Sequence, residues 1–164
     1  MSESSIRLAR AADLETINDI YNHYVLHSTC TYQEEPETMH DRQAWFAHHQ
    51  HKHPVTVAEK DGRIVGWGSL SPYHVRSAYR FTVENSVYLH HEHLRQGIGT
   101  IVLRDLIERA RAIGHRTIIA GIDGNQPASV ALHHKFGFVE AGRLKHVGFK
   151  FGQWLDVISM QLQL

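Results

Sequence analysis

The chain has 164 residues, 42% hydrophobic and 21% charged, the proportions of one globular domain (1–164) with a single sizeable core. Lys+Arg and Asp+Glu balance at 17 each, which argues against a nucleic-acid partner or a membrane surface. No apolar run approaches the roughly 18 residues of a membrane span, residues 1–7 show no leader pattern, and the lone Cys30 has no partner for an internal disulfide, so a soluble cytoplasmic protein is expected.

Residues 6–10 read as a short strand. Asp13 then offers an N-cap to a helix in which Leu14, Ile17, Ile20, Tyr21, Tyr24 and Val25 recur at helical spacing. Residues 34–38 form a loop, followed by a helix over 40–49 anchored by Trp45 and Phe46. Strands over 55–59 and 64–70 flank Asp61-Gly62, a strong hairpin signal. Over 80–89 the residues alternate: Phe81, Val83, Val87 and Leu89 share one face, and Arg80, Thr82, Glu84, Ser86 and Tyr88 the other. Asn85 intrudes on the apolar face and marks a bulge or a splayed strand.

A helix begins near Gly97, with Ile98, Ile101, Val102, Leu106, Ala110 and Ile113 on its inner side, and stops at Gly114. Residues 116–122 form an apolar strand of the kind buried on both faces. Pro127 opens a short helix that Gly137 stops. Residues 138–142 read as a strand, 145–152 as turn-rich, and 154–162 as a final alternating strand. The order βα-αβββ-αβ-αβ-β, with no repeat or linker, implies a single mixed α/β (α+β) domain.

Fifteen histidines stand out, four of them at His48, His49, His51 and His53. Their spacing matches no ligand frame, and His91-Glu92 lacks the second His of a zinc-protease helix, so no metal is expected and solvated polar histidines are the simpler reading. Gly97-Ile98-Gly99 lacks the third glycine of the dinucleotide fingerprint, and no Walker-type loop occurs. What remains is a strand carrying the carboxylate of Glu84, a basic glycine-containing turn and a helix N-terminus, whose free N–H groups suit a pyrophosphate.

That turn, Leu94-Arg95-Gln96-Gly97-Ile98-Gly99, resembles the phosphate loop of the GNAT N-acetyltransferases, with Leu94 standing where an Arg or Gln leads. The segments Thr82-Val83-Glu84-Asn85-Ser86-Val87-Tyr88, Leu132-His133-His134-Lys135-Phe136-Gly137-Phe138 and Gly148-Phe149-Lys150-Phe151-Gly152-Gln153-Trp154-Leu155-Asp156-Val157 are similar to its phosphinothricin and methionine sulfoximine/sulfone acetyltransferase branch. The resemblance implies a central, mostly antiparallel mixed sheet flanked by helices, a splayed strand pair that takes acetyl-CoA as co-substrate, and a homodimer. It implies Glu84 as the base that frees an amine's lone pair and His133 as general acid, second base or a hydrogen-bonded helix residue. Cofactor contacts fall on Val87, Tyr88 and Leu89, on Leu94, Arg95, Gln96, Gly97, Ile98, Gly99 and Thr100, and on Ser129 with either Asn125 or Gln126. The acceptor, a small-molecule amine of the amino-acid type, would meet His74, Val75, Arg76, Arg80, Glu84, Asn85 and Ser86, with Lys150 and Trp154 open between pocket and dimer interface. Another amine, such as a polyamine or a peptide N-terminus, and a non-catalytic acyl-CoA-binding module are the alternatives.

Overall fold

The computed structural model describes residues 4–164, so the first three residues of the stretch 1–7 lie outside it. Seven strands, β1 (Ser5–Leu8), β2 (Val55–Lys60), β3 (Arg63–Pro72), β4 (Thr82–Leu89), β5 (Thr117–Asp123), β6 (Val139–Lys150) and β7 (Gln153–Gln163), form one sheet in the order β1-β2-β3-β4-β5-β7-β6. Helices α1 (Leu14–His27) and α2 (Met39–Ala47) pack on one face, while α3 (Ile98–Ile113) and α4 (Pro127–Lys135) lie on the other. Among the described residues no helix is long and apolar enough to cross a membrane.

Local chemistry accounts for most element boundaries. Asp61 and Gly62 both take positive φ (52° and 72°), the two-residue turn whose twist matches the β2–β3 hairpin. Thr38 and Asp41 form a reciprocal capping box at the start of α2, Thr38 Oγ1 accepting from the Asp41 amide at 3.1 Å. Gly114, at φ 98°, closes α3 by donating its N–H to the Ala110 carbonyl. Asp13 departs from the expected N-cap: its backbone is helical, and its carboxylate accepts from the Arg10 amide and from Arg7 instead. It therefore fixes the exit of β1 rather than capping α1.

Helix α3 buries Ile98, Val102, Leu103, Leu106, Ile107 and Ala110 against the sheet. Its close approach depends on glycine in β3. A Cβ on Gly68 would lie 2.6 Å from Val102 Cγ1 and 2.9 Å from Leu106 Cδ1.

Three expectations need correction. Strand β5 alternates, burying Ile118, Ala120 and Ile122 while Gly121 is exposed, because the far side of β5 borders an open cleft. Strand β6 does not stop at residue 142 but runs to Lys150, with register breaks between Glu140 and Gly142 and between Leu144 and Gly148. As an edge strand exposed almost throughout, it lacks the buried periodicity that marks a strand in sequence. The β3–β4 register is continuous from Gly66↔Leu89 to Pro72↔Val83, so Asn85 marks no bulge there. The splay lies on the other side: β4 and β5 run parallel but pair only at Thr82↔Thr117, Val83↔Ile118 and Glu84↔Ile119.

Candidate active site

The site grows out of that short pairing. After Glu84 the edge of β4 that faces β5 has no strand partner, so its backbone groups stay free for an extended ligand. At the wide end of the opening, Gly97 adopts φ 79° and turns the chain into α3, whose first amides carry no side-chain cap. Arg95 also takes a left-handed backbone (φ 59°). Residues 94–97 are exposed, whereas Ile98 and Gly99 are buried and Thr100 is half-buried. Successive N–H groups in such a turn, together with the helix dipole, make an anion cradle. Gln96 Oε1 accepts from Lys60 Nζ at 2.9 Å, bringing a cation to the rim.

Val87, Tyr88 and Leu89 line the last turns of β4. The Tyr24 hydroxyl donates to the Leu89 carbonyl and locks α1 to this strand. On the opposite wall Asn125 is exposed, while half-buried Gln126 leans back toward Asp123 (3.4 Å), which leaves Asn125 the freer of the two. The Ser129 carbonyl is occupied by His133.

Glu84 projects to the face shared with Ser86, Tyr88 and helices α1 and α2. Its carboxylate crosses the narrow end of the cleft toward β5, where Oε1 would sit 3.4 Å from a Cβ on Gly121. Among the described residues no salt bridge to Glu84 forms, and burial pushes its carboxyl above the ordinary value. An ion pair with Arg80 is not present: that guanidinium donates to the Ser77 carbonyl and lies 4.6 Å over the Phe81 ring.

His133 sits on the other face of β4. Its ring is buried (3% exposed); Nδ1 donates to the Ser129 carbonyl at 2.7 Å, and Nε2 accepts from Asn85 Nδ2 at 3.0 Å. Burial lowers its pKa, so the neutral ring fits both bonds. Asn85, expected beside Ser86 in the acceptor pocket, is thus turned to the opposite face, as strand alternation requires. The structure therefore brings Glu84 and Ser86 together and pairs Asn85 with His133 away from them.

The loop at 73–80 is exposed. His74 packs edge-on to Tyr73 and 4.9 Å from Tyr79, while Val75 is fully exposed and Arg76 is exposed. Lys150 is not a free pocket cation: it is buried and donates to the Ser28 and Thr31 carbonyls at 2.7 and 2.9 Å. Trp154 is 62% exposed on the outer face beside Phe149.

Several positioning residues went unread in the sequence. Asp123, at the end of β5, accepts from Thr29 Oγ1 (2.5 Å) and the Tyr32 hydroxyl (2.9 Å), and with Lys150 it straps the α1–α2 loop beside the cleft. Arg42, 2% exposed, is held among Tyr21, Trp45 and Trp67, with Cζ 4.6–5.6 Å from the three ring centroids. A regular 3.6-residue pattern carries no sign of either. The histidines are also less free than expected. His49 bonds the Trp45 carbonyl and Ser71, and His91 stacks on His23 at 3.9 Å, next to the phosphate turn.

Among the described residues, a larger and a smaller cavity border the sheet. The larger, about 480 Å³, lies among Phe46, Pro54, Arg109 and Ile113, and Glu84 does not line it. The smaller, about 160 Å³, includes Ser86 and Tyr88 from Glu84's own face of β4. Glu84 lines neither, and the second is the one that opens on its face of β4.

Comparison with known proteins agrees with this geometry. The methionine sulfoximine/sulfone acetyltransferase of Salmonella typhimurium is 40% identical over 161 residues, 98% of this chain and 94% of that protein. A phosphinothricin N-acetyltransferase from Alcaligenes faecalis is 41% identical over 162 residues, 98% and 82% of the two chains. The crystal structure of a phosphinothricin acetyltransferase from Sinorhizobium meliloti in complex with acetyl-CoA superposes with a TM-score of 0.95 at 40% identity, covering 98% of this chain and 88% of that one. With residues 17–138 also matching the family profile, the chain belongs to the acetyltransferase (GNAT) family.

Proposed function

We propose that the protein transfers the acetyl group of acetyl-CoA to the α-amino group of a small amino acid of the methionine sulfoximine, methionine sulfone or phosphinothricin type, with Glu84 as general base. The observation that carries this reading is the half-buried, unpaired Glu84 carboxylate at the point where β4 and β5 part. An ammonium has no lone pair, and a carboxylate whose pKa is raised is a stronger proton acceptor than an exposed one. Once neutral, the amine nitrogen attacks the thioester carbonyl. The C–N bond forms, the C–S bond breaks and sulfur leaves as the thiolate; the nitrogen gives up its second proton to become the amide, the thiolate takes up a proton in exchange through solvent, and the proton taken by Glu84 passes to solvent.

The residues present fit acetyl-CoA. The uncapped turn of Arg95 to Thr100 suits the pyrophosphate, and the unpaired edge of β4 at Val87–Leu89 suits the pantetheine amides as an added strand. His133, with both ring nitrogens engaged, holds β4 and α4 in register on the far side of the cleft and is a positioning residue in this scheme. Assembly as a homodimer belongs to the same reading: Val139, Leu144, Val147, Phe149, Phe151 and Trp154, all more than half exposed, lie on the outer β6–β7 hairpin. A cytoplasmic setting is consistent with a single cysteine.

The test is thiol release from acetyl-CoA across methionine sulfone, methionine sulfoximine, phosphinothricin, a polyamine and a short peptide. Turnover confined to the amino-acid analogues supports the reading. Turnover on the polyamine or the peptide alone refutes it.

A further inference from the structure

The larger cavity takes no part in the acetyl transfer. It lies where β1 ends, β2 begins and the C-terminal ends of α2 and α3 come together, and Leu8, Phe46, Val55 and Ile113 give it apolar walls. Its volume of about 480 Å³ is that of a small-molecule pocket, and Leu8, 52% exposed, leaves it open to solvent. Its ionisable lining is wholly basic: among the described residues Arg109, His49 and His51 border it, and no carboxylate does. Arg109 commits only Nε to Asp105 (2.8 Å), so the Nη1/Nη2 edge of its guanidinium is free. Arg7 shows within this same protein that one guanidinium can hold two carboxylates, with Asp13 on one edge and Glu59 on another.

The cavity also touches a line of groups that leads to Glu84. His49 donates Nδ1–H to the Trp45 carbonyl (2.7 Å), and its Nε2 lies 2.9 Å from Ser71 Oγ. Ser71 is the cross-strand partner of Glu84 on the same face of the sheet, a pairing that sets Cβ atoms about 5 Å apart. Burial keeps the ring neutral, as do the bases around it: Arg42 and His48 on α2, His53 in the loop that follows, and Arg109 on α3. In the neutral ring Nε2 is an acceptor, so the Ser71 hydroxyl donates to it.

We propose that this cavity is a second binding site, for a small amphipathic carboxylate whose apolar body lies on Leu8, Phe46, Val55 and Ile113 and whose head pairs with Arg109 beside His49, and that its occupancy reaches Glu84 through His49 and Ser71. The coupling, though not the binding, rests on Glu84 being the base. A carboxylate in the cavity favours the charged imidazole, which takes its second proton from solvent. With Nε2 protonated the ring becomes the donor to Ser71 Oγ. The Ser71 hydroxyl proton is then released from His49 and turns to the carboxylate opposite, directly or through one water. A hydrogen bond given to the ionised carboxylate lowers its pKa, so an occupied cavity moves the ionisation of Glu84 to lower pH.

The probe is octanoate, titrated by calorimetry into the acetyl-CoA-saturated protein so that the catalytic cleft is already filled. Saturable binding is expected, whereas octylamine, with a similar tail and the opposite charge, should not bind. Arg109→Gln should weaken octanoate at least about tenfold, the loss of one charge-assisted bond, and Ala112→Phe, which fills the cavity from α3, should abolish binding. For the coupling, kcat/KM on methionine sulfone is followed against pH with and without octanoate. The acid limb of the wild type should move down by about half a pH unit, roughly a threefold gain in rate at a given pH on that limb. Ser71→Ala should still bind octanoate and lose the shift. Octanoate that fails to bind, binds no better than octylamine, or binds Arg109→Gln and Ala112→Phe as well as the wild type overturns the site. Binding to the wild type with no shift of the limb overturns the coupling. A profile with no such limb overturns Glu84 as the base and leaves the calorimetry to decide the site.

Discussion

Gly68→Ala probes how the cofactor helix is seated. The added Cβ would meet Val102 Cγ1 at 2.6 Å, Leu106 Cδ1 at 2.9 Å and the Ser86 carbonyl oxygen at 3.2 Å. Val102 and Leu106 are both fully buried, so neither can swing into solvent to make room. Overpacking a filled core costs about 1–3 kcal/mol. Loss of glycine's freedom in the unfolded chain offsets roughly 0.4–1 kcal/mol of that. The net cost of about 1–2 kcal/mol corresponds to a fall in Tm of about 2–8 °C for a chain of this size. Relief comes by moving α3 away from β3, which carries the turn at Gly97 with it, so acetyl-CoA affinity should fall as well. Gly142→Ala is the control: nothing lies within 4 Å of its added Cβ, and its backbone has no positive φ, so its Tm should hold or rise slightly. Thermal unfolding by circular dichroism, with calorimetric titration of acetyl-CoA, measures both. A Gly68→Ala protein as stable as Gly142→Ala would refute the packing argument.

Gly97→Ala meets no clash but must hold φ 79°, so it should cost about 1–2 kcal/mol and weaken acetyl-CoA binding several-fold by re-aiming the turn's amides; an unchanged Kd would sink the cradle. Asp123→Ala orphans Thr29 Oγ1 and takes one of two acceptors from the Tyr32 hydroxyl, costing about 1–3 kcal/mol. Hydrogen exchange in residues 28–38 should quicken and the acceptor KM rise while acetyl-CoA affinity holds, and unaltered exchange there would remove Asp123 from the strap. The depressed pKa of His133 means its contribution to stability is present above the free-histidine value, about 6.5, and lost as pH falls through the lower folded value. Between neutral pH and that range the wild type should lose more stability than His133→Gln, as followed by denaturant melts across pH.

What the sequence reveals and what it hides divides along contact distance. Asp61-Gly62, Gly97, Gly114 and the alternation of β4 act within a few residues of themselves, and each appears in the structure where its local chemistry places it. The parting of β4 and β5 was legible only through the resemblance and the oddity of Asn85, whose true role is a bond to a histidine 48 positions away. Lys150 reaches carbonyls 119 and 122 positions off, and Asp123 reaches side chains 91 and 94 positions off. No periodicity encodes such pairs. Arg42 lies on a helix with a weak apolar stripe and carries no local signal of burial, because its partners come from α1 and β3 as well as its own helix. The fold's order of elements is a local property of the chain; the acceptor side of the site is not.

The central claim is that Glu84 takes the amine's proton. Burial raises its pKa, so ionisation disfavours the folded state: its stabilising contribution is present at acid pH and lost as pH rises through the folded value. Glu84→Gln should therefore be at least as stable as the wild type at neutral pH, and any loss of rate cannot be charged to unfolding. The deciding measurement is kcat/KM against pH for both proteins on methionine sulfone, with acetyl-CoA affinity measured in parallel. The account predicts a wild-type rate that climbs through an apparent pKa above the ordinary glutamate value. It also predicts a loss of at least about tenfold in Glu84→Gln together with that limb of the profile, at unchanged acetyl-CoA affinity. A Glu84→Gln enzyme that keeps wild-type turnover and the same pH profile would contradict it.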